Sequence, residues 1–125
     1  MGFEGAGIVV ESGGGIMGWS LMGKKVAFAV ELEGQGSYAQ YALAKADECL
    51  PLEDSTTFEE GSMSLINPLT ALAFLDILKS NKEKSVVITA AASALGRMMN
   101  RYFPKEGVEV INIVRRQEQV ELLKE

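Results

Sequence analysis

Along the first third of the chain apolar residues alternate with polar or small ones, and clusters of glycine cut the alternation into short pieces. A period of two predicts strands. Ile8, Val9 and Val10 lie in one extended run from Phe3 to Glu11, which ends at Ser12-Gly13-Gly14-Gly15. Lys24 to Val30 reads as a second strand, with Val26, Phe28 and Val30 on one face. Ser37 to Ala44 reads as a third, entered through a hairpin-like turn at Gly34-Gln35-Gly36, with Tyr38 and Tyr41 on opposite faces and one of them packed inward. A short extended piece from Glu48 to Leu52 closes this half.

The pattern changes at Asp54-Ser55-Thr56-Thr57. One of these residues is expected to cap a helix from Phe58 to about Ile66, with Glu59 and Glu60 at its positive end. Asn67-Pro68 interrupts it, and Pro68 suits the first turn of a second helix, Leu69 to about Lys79. That helix is apolar almost all round, which predicts burial on most sides. Ser85 to Thr89 is a short β-branched run, the pattern of a buried parallel strand. A small-residue turn from Ala90 to Ser93 opens a helix that ends near Pro104-Lys105-Glu106-Gly107, Val108 to Val114 is a second buried strand, and Gln117 to Glu125 begins another helix.

Strand, small-residue turn, helix and strand from Ser85 to Val114 make one βαβ unit of the usual length, about thirty residues. Dinucleotide-binding turns space three small residues as G-x-G-x-x-G, and here the frame is Ala91-x-Ser93-x-x-Gly96. The first residue allows a tight turn, the second lets backbone approach a diphosphate, and the third lets helix and strand pack closely. The phosphates would then meet Ala94, Leu95 and the other unpaired amides of the helix N-terminus. A plain helix start packed on a sheet explains the same residues. At the end of the second strand NAD binders carry an acidic residue for the ribose, whereas this chain has Arg115-Arg116, two guanidiniums suited to clamping a 2′-phosphate. The alternative is a solvated basic pair. Arg97 is a further candidate for the diphosphate, or a surface residue.

Composition narrows the choice. The 125 residues are 47% hydrophobic and 23% charged, with a net charge of −5. An acidic chain argues against nucleic acid and against docking on anionic lipid. No run is long and apolar enough to span a membrane. The lone Cys49 cannot form an internal disulfide, which with no visible signal peptide reads as cytoplasmic, and beside Leu50 and Pro51 it reads as packing. The Met17/Met22 and Met98/Met99 pairs also read as packing. Histidine is absent, which removes imidazole as base or metal ligand.

Five segments, in order, resemble the medium-chain dehydrogenase/reductase superfamily. Gly2-Phe3-Glu4-Gly5 with Gly7, and Gly23-Lys24-Lys25-Val26-Ala27, are similar to its alcohol dehydrogenase and quinone oxidoreductase members. Gly36-Ser37-Tyr38-Ala39-Gln40-Tyr41 resembles the G-[ST]-[WFY]-A-[EQ]-[YF] segment. Asn67-Pro68-Leu69-Thr70-Ala71 resembles the N-P-x-T-A of the quinone and enoyl-thioester reductases. Thr89 to Gly96 lies where that family has its A-x-x-G-x-x-G loop, with Ser93 replacing the middle glycine. The resemblance implies a mixed α/β fold: residues 1–53 part of a GroES-like β domain, 54–84 connecting helices, and 85–125 the start of a Rossmann domain. It implies NADP(H) as cofactor, with Asn67 and Thr70 near the nicotinamide end; otherwise they are a helix-boundary Asn and a helix-interior Thr. Zinc-dependent members have G-H-E where this chain has Gly2-Phe3-Glu4, and Phe3 cannot ligate metal. The implied reaction is hydride transfer to a quinone, enone or enoyl thioester without zinc.

Family members are more than twice this length. The chain is therefore expected to be an internal piece that exposes apolar surface, including the flanks of Val86–Ile88 and Ile111–Val114. It would form homo-oligomers, need the missing segments, or fold only in part. The alternative function is a non-catalytic remnant, an oligomerising or nucleotide-binding module.

Overall fold

The computed structural model of the protein describes residues 1–30 and 36–124, which form two compact units, Met1–Ile66 and Asn67–Glu125. In the first unit alternation gives a three-stranded antiparallel sheet, β1 (Glu4–Ile8), β2 (Lys25–Ala29) and β3 (Cys49–Pro51), in that order. Gly5 faces Phe28 and Ala6 faces Ala27 across β1 and β2. Val26 and Ala27 of the central strand are buried, with Leu21. A side chain at Gly5 would meet the Phe28 ring, so the small residue is what lets that ring lie across the strand.

Several expectations for this unit fail, each for a local reason. The turn at Ser12–Gly15 leads into a helix the pattern does not predict, α1 (Ile16–Leu21), whose N-cap Gly15 makes no side-chain bond, so no capping signal announces it. Ser37 to Ala44 is not a strand. It bends, with Gly36 at a φ of +79°, and lies against the chain start, with Ser37 N donating to Gly2 O and Tyr38 N to Met1 O. Tyr38 and Tyr41 are both exposed, so neither packs inward. Gly34 and Gln35 of the expected turn lie outside the described residues.

The capping expectation holds at Thr57. Its hydroxyl accepts from Glu60 N at 3.2 Å, and the Glu60 carboxylate accepts from Thr57 N at 2.9 Å, a reciprocal box opening α2 (Phe58–Gly61). Those bonds hold the Glu60 carboxyl below the ordinary carboxylate range. The helix stops at Gly61, five residues sooner than expected, where a side chain would strike Leu52 and Ala6. Lys25 braces this end, donating to the carbonyls of Asp54 and Thr56 at 3.0 and 2.7 Å with its ammonium 5.3 Å from the Phe58 ring centre. The Glu4 carboxylate accepts from Ile66 N at 2.9 Å, satisfying an amide at the first residue of the next helix.

That helix, α3 (Ile66–Ser80), has Pro68 in its first turn. In the second unit it is followed by β4 (Ser85–Thr89), α4 (Ala94–Tyr102), a 3₁₀ turn at Phe103–Glu106, β5 (Glu109–Ile113) and α5 (Gln117–Lys124). The two strands are parallel, with Ser85 opposite Glu109 and Thr89 opposite Ile113. One core gathers Ala71 and Leu75 of α3, Ile88, Ala91, Met99, Phe103 and Val108. Leu95, Met98 and Tyr102 join it at helical spacing from α4. Met99 is thus packing, as read from the sequence, whereas Met17 is more than half exposed. The expected burial of α3 on most sides does not hold: Leu69, Leu72, Phe74 and Ile77 are exposed. The other sheet face is bare as well. Val87, Ile111 and Ile113 are each about half exposed, the apolar exposure expected of this segment. Among the described residues no helix is long and apolar enough to cross a membrane.

Candidate functional site

The turn between β4 and α4 is built by three small residues. Ala90 takes a φ of +50°, a left-handed conformation that costs an alanine about 1 kcal/mol. Ser93 N donates to Ala90 O at 2.9 Å and closes the turn. Ala91 is fully buried beneath it. Gly96, in the first turn of α4, lies against Ala91, and a side chain there would overlap the Ala91 carbonyl and Cα. Gly96 thus packs closely on the bend, whereas the left-handed residue of the turn is Ala90 and Ala91 lies buried after it.

Ser93 differs from a glycine at its position. It is the N-cap of α4, and its hydroxyl accepts from Gly96 N at 3.1 Å. The helix therefore satisfies one of its own free amides, leaving those of Ala94 and Leu95 without an intrahelical acceptor. Ala94 is exposed, Leu95 half-buried against the core, and Arg97 exposed.

The parallel register carries β5 to the same end of the sheet. Ala91 follows Thr89 by two residues and Arg115 follows Ile113 by two, and Thr89 and Ile113 are direct neighbours. Adjacent strands lie about 4.8 Å apart. The bend and the arginine pair therefore leave one edge side by side. Gln119, at the third position of α5, accepts from the main-chain N–H of Arg115 and of Arg116 at 3.1 and 3.2 Å. It fixes that backbone, while both arginine side chains are exposed and have no partner among the described residues. The sequence held a signal for this that went unused, a Gln three residues into a helix.

Asn67 and Thr70 sit half-buried in the first turns of α3. The far end of α3 is tied to the opposite edge of the sheet: Glu83 N donates to Leu78 O just before β4 begins, and Lys79 bonds Glu106 at 2.5 Å just before β5. That bond raises the Lys79 ammonium pKa and lowers that of the Glu106 carboxyl. Over fifteen residues α3 rises about 22 Å, longer than a five-residue strand of about 16 Å.

Two residues went unnoticed in the sequence. Asn100 of α4 and Asn112 of β5 pair amide to amide, and Asn100 Nδ2 also donates to Gly96 O at 2.9 Å. A lone Asn in a strand or a helix has no signature that marks it as paired. Cys49 behaves as packing: half-buried, its thiol donating to Lys45 O at 3.3 Å and pushed up in pKa first by burial, then by Glu48 and Asp47.

No family model matches the chain. It is 31% identical over 112 residues to a trans-enoyl reductase of Aspergillus terreus, covering 77% of this chain and 37% of that protein. The fold matches a Mesorhizobium loti protein assigned as an NADPH:quinone reductase, with a TM-score of 0.92 and 46% identity over 98% of this chain and 36% of the other. A mycobacterial protein solved with NADPH matches with a TM-score of 0.81 and 28% identity, over 98% of this chain and 38% of that one. The chain thus spans little more than a third of the length of these relatives. Motifs in order, a shared fold over nearly all residues and these identities agree that the chain belongs to the medium-chain dehydrogenase/reductase superfamily, in its quinone oxidoreductase and enoyl reductase branch.

Proposed function

We propose that this chain holds the phosphate-recognising part of an NADPH-dependent reductase, and that the whole protein reduces a quinone, enone or enoyl thioester without zinc. The observation that carries the reading is the common edge from which the Ala91–Gly96 bend and Arg115-Arg116 emerge. The residues fit the cofactor in three respects. Gly96 lets α4 begin tight against Ala91, so no side chain of those two fills the bend. The amides of Ala94 and Leu95 are free to meet a diphosphate, with Arg97 one turn further on. The guanidiniums of Arg115 and Arg116 are available for a bidentate grip on a 2′-phosphate. Asn67 and Thr70 would face the nicotinamide end. NADPH, when bound, supplies the hydride, and the protein's part is to hold and orient it.

The zinc-free reading rests on donor chemistry. Phe3, which stands where zinc-dependent members carry histidine, has no metal-binding atom. We further propose the domain assignment above, with residues 1–53 on the substrate side and 85–125 on the cofactor side. A nucleotide-binding module without turnover is the second reading, favoured by the bare face of Val87, Ile111 and Ile113, which a complete sheet would cover.

NADPH fluorescence titration separates binding from no binding, and a turnover assay with quinones and enoyl thioesters separates enzyme from module. Arg115→Glu is expected to weaken NADPH by at least about tenfold and NADH by far less, since a charge-assisted contact contributes about 1.5–3 kcal/mol. Equal losses for both cofactors would remove Arg115 from the 2′-phosphate.

A further inference from the structure

We infer that Asn100 and Asn112 are positioning residues that set the spacing between the diphosphate bend and the strand end carrying the arginine pair. The inference deepens the cofactor reading and rests on it. Asn112 shares the Val110 face of β5, toward α4, three residues before Arg115. Asn100 stands one helical turn after Gly96. Asn100 Nδ2 donates to Asn112 Oδ1 at 2.8 Å, and Asn112 Nδ2 returns a bond to Asn100 Oδ1 at 2.5 Å. Asn100 Nδ2 also reaches Gly96 O at 2.9 Å, and Gly96 N is held by Ser93 Oγ at 3.1 Å. An unbroken series of bonds thus runs from β5 across α4 to the bend.

The residue types argue for purpose. Asn has low propensity both inside a helix and inside a strand, so neither position is explained by local preference. A primary amide carries two N–H donors and an acceptor in one plane, so such a pair closes the reciprocal ring while keeping a proton for Gly96 O. The ring joins the two elements that would hold opposite ends of one ligand. A ligand anchored at both ends is sensitive to their separation, because the second contact forms only if the span matches. A ligand anchored at one end is not.

The test uses two probes on the full chain. 2′,5′-ADP carries a phosphate for each end, whereas inorganic pyrophosphate engages the bend alone. Asn112→Val and Asn100→Leu are each expected to weaken 2′,5′-ADP about fivefold, as loss of one net hydrogen bond would. Pyrophosphate should change less than about twofold, since the remaining cap still holds the bend. The double variant should lose no more than one single variant, because the pair acts as a unit. It replaces both partners by apolar groups of similar shape, so it keeps a folded protein available should a single variant melt. Folding is followed by circular dichroism and thermal midpoint. Unchanged 2′,5′-ADP affinity in a folded variant would overturn the inference and leave the cofactor reading standing. Equal losses for both probes would also overturn it, by showing a general loosening of the bend. Failure of the unsubstituted chain to bind 2′,5′-ADP would defeat the cofactor reading and the inference with it.

Discussion

Gly96→Ala sets two physical effects against each other, and the structure decides the sign. Alanine is a better helix former than glycine by up to about 1 kcal/mol, so helix propensity alone predicts stabilisation. The new Cβ, however, would overlap the carbonyl and Cα of Ala91. These are backbone atoms, and Ala91 is fully buried, so no rotamer change relieves the contact. Overpacking of this kind costs about 1–3 kcal/mol, and the upper end applies where backbone must move. The balance is a net loss of about 2 kcal/mol. For a chain of this size each kcal/mol moves the thermal midpoint by about 4 °C, so the expected drop is about 8 °C. Calorimetry or circular dichroism measures it directly. A midpoint equal to or above that of the unsubstituted chain would show that α4 does not start against Ala91, and the tight bend would go with it. Because the same shift would push the helix N-terminus outward, NADPH affinity should fall in parallel.

Ala90→Gly should act in the opposite direction, raising stability by about 0.5 kcal/mol in urea unfolding, because the φ of +50° suits glycine and the relief of strain exceeds the added freedom of the unfolded chain. Thr57→Ala removes the cap of α2 and should cost about 1 kcal/mol by the same assay; a change within error would mean that Lys25 alone holds that end. The Glu60 and Glu106 carboxyls both lie below their usual pKa of 4.5, so what they contribute is fully present above that pH and is lost as acidity carries the protein down through the folded values. Glu106→Gln should therefore flatten the stability profile below pH 4.5; an unchanged acid limb would show the Lys79 pair to be without effect. Lys79, whose pKa is raised above 10.5, adds a matching loss as pH climbs through its folded value, and Lys79→Met should abolish that alkaline limb.

What the sequence revealed depended on how local each cause was. The strand–turn–helix–strand unit from Ser85 to Ile113 was legible because β-branched runs, small residues and a helical stripe sit side by side in the chain. Thr57 was legible as a cap for the same reason. The failures involve causes that lie far away in sequence. α2 stops at Gly61, which packs close against Leu52 and Ala6, residues distant from it in the chain. Ser37 to Ala44 has the alternation of a strand but forms no ladder among the described residues, meeting the chain start instead through bonds from Ser37 N and Tyr38 N. α3 is apolar almost all round yet is buried only at Ala71 and Leu75, with Leu69, Leu72, Phe74 and Ile77 exposed, since periodicity records what a helix can bury and says nothing of what is there to bury it. At the site, the residues with a family pattern were found, whereas Asn100 and Asn112 were not, because each needs the other to mean anything.

The serine at the middle of the bend shifts where recognition must come from. A glycine there would leave Gly96 N free along with Ala94 N and Leu95 N, three amides converging on one phosphate. Ser93 Oγ takes the Gly96 amide instead, so two remain. Relative to glycine the cap stabilises α4 by only about 0.3 kcal/mol in the absence of ligand, and a phosphate that wanted the third amide would have to displace it. On the proposed reading, charge supplies the balance: Arg97 beside the bend and Arg115 and Arg116 one strand away are exposed, and none has a partner among the described residues. Attraction by guanidiniums weakens with ionic strength, whereas bonds from fixed amides weaken less. Ser93→Gly should accordingly lower thermal stability yet make NADPH binding less sensitive to salt. If titrations at low and high ionic strength give both proteins the same salt dependence, the serine is only a cap and the arginines do not compensate for it.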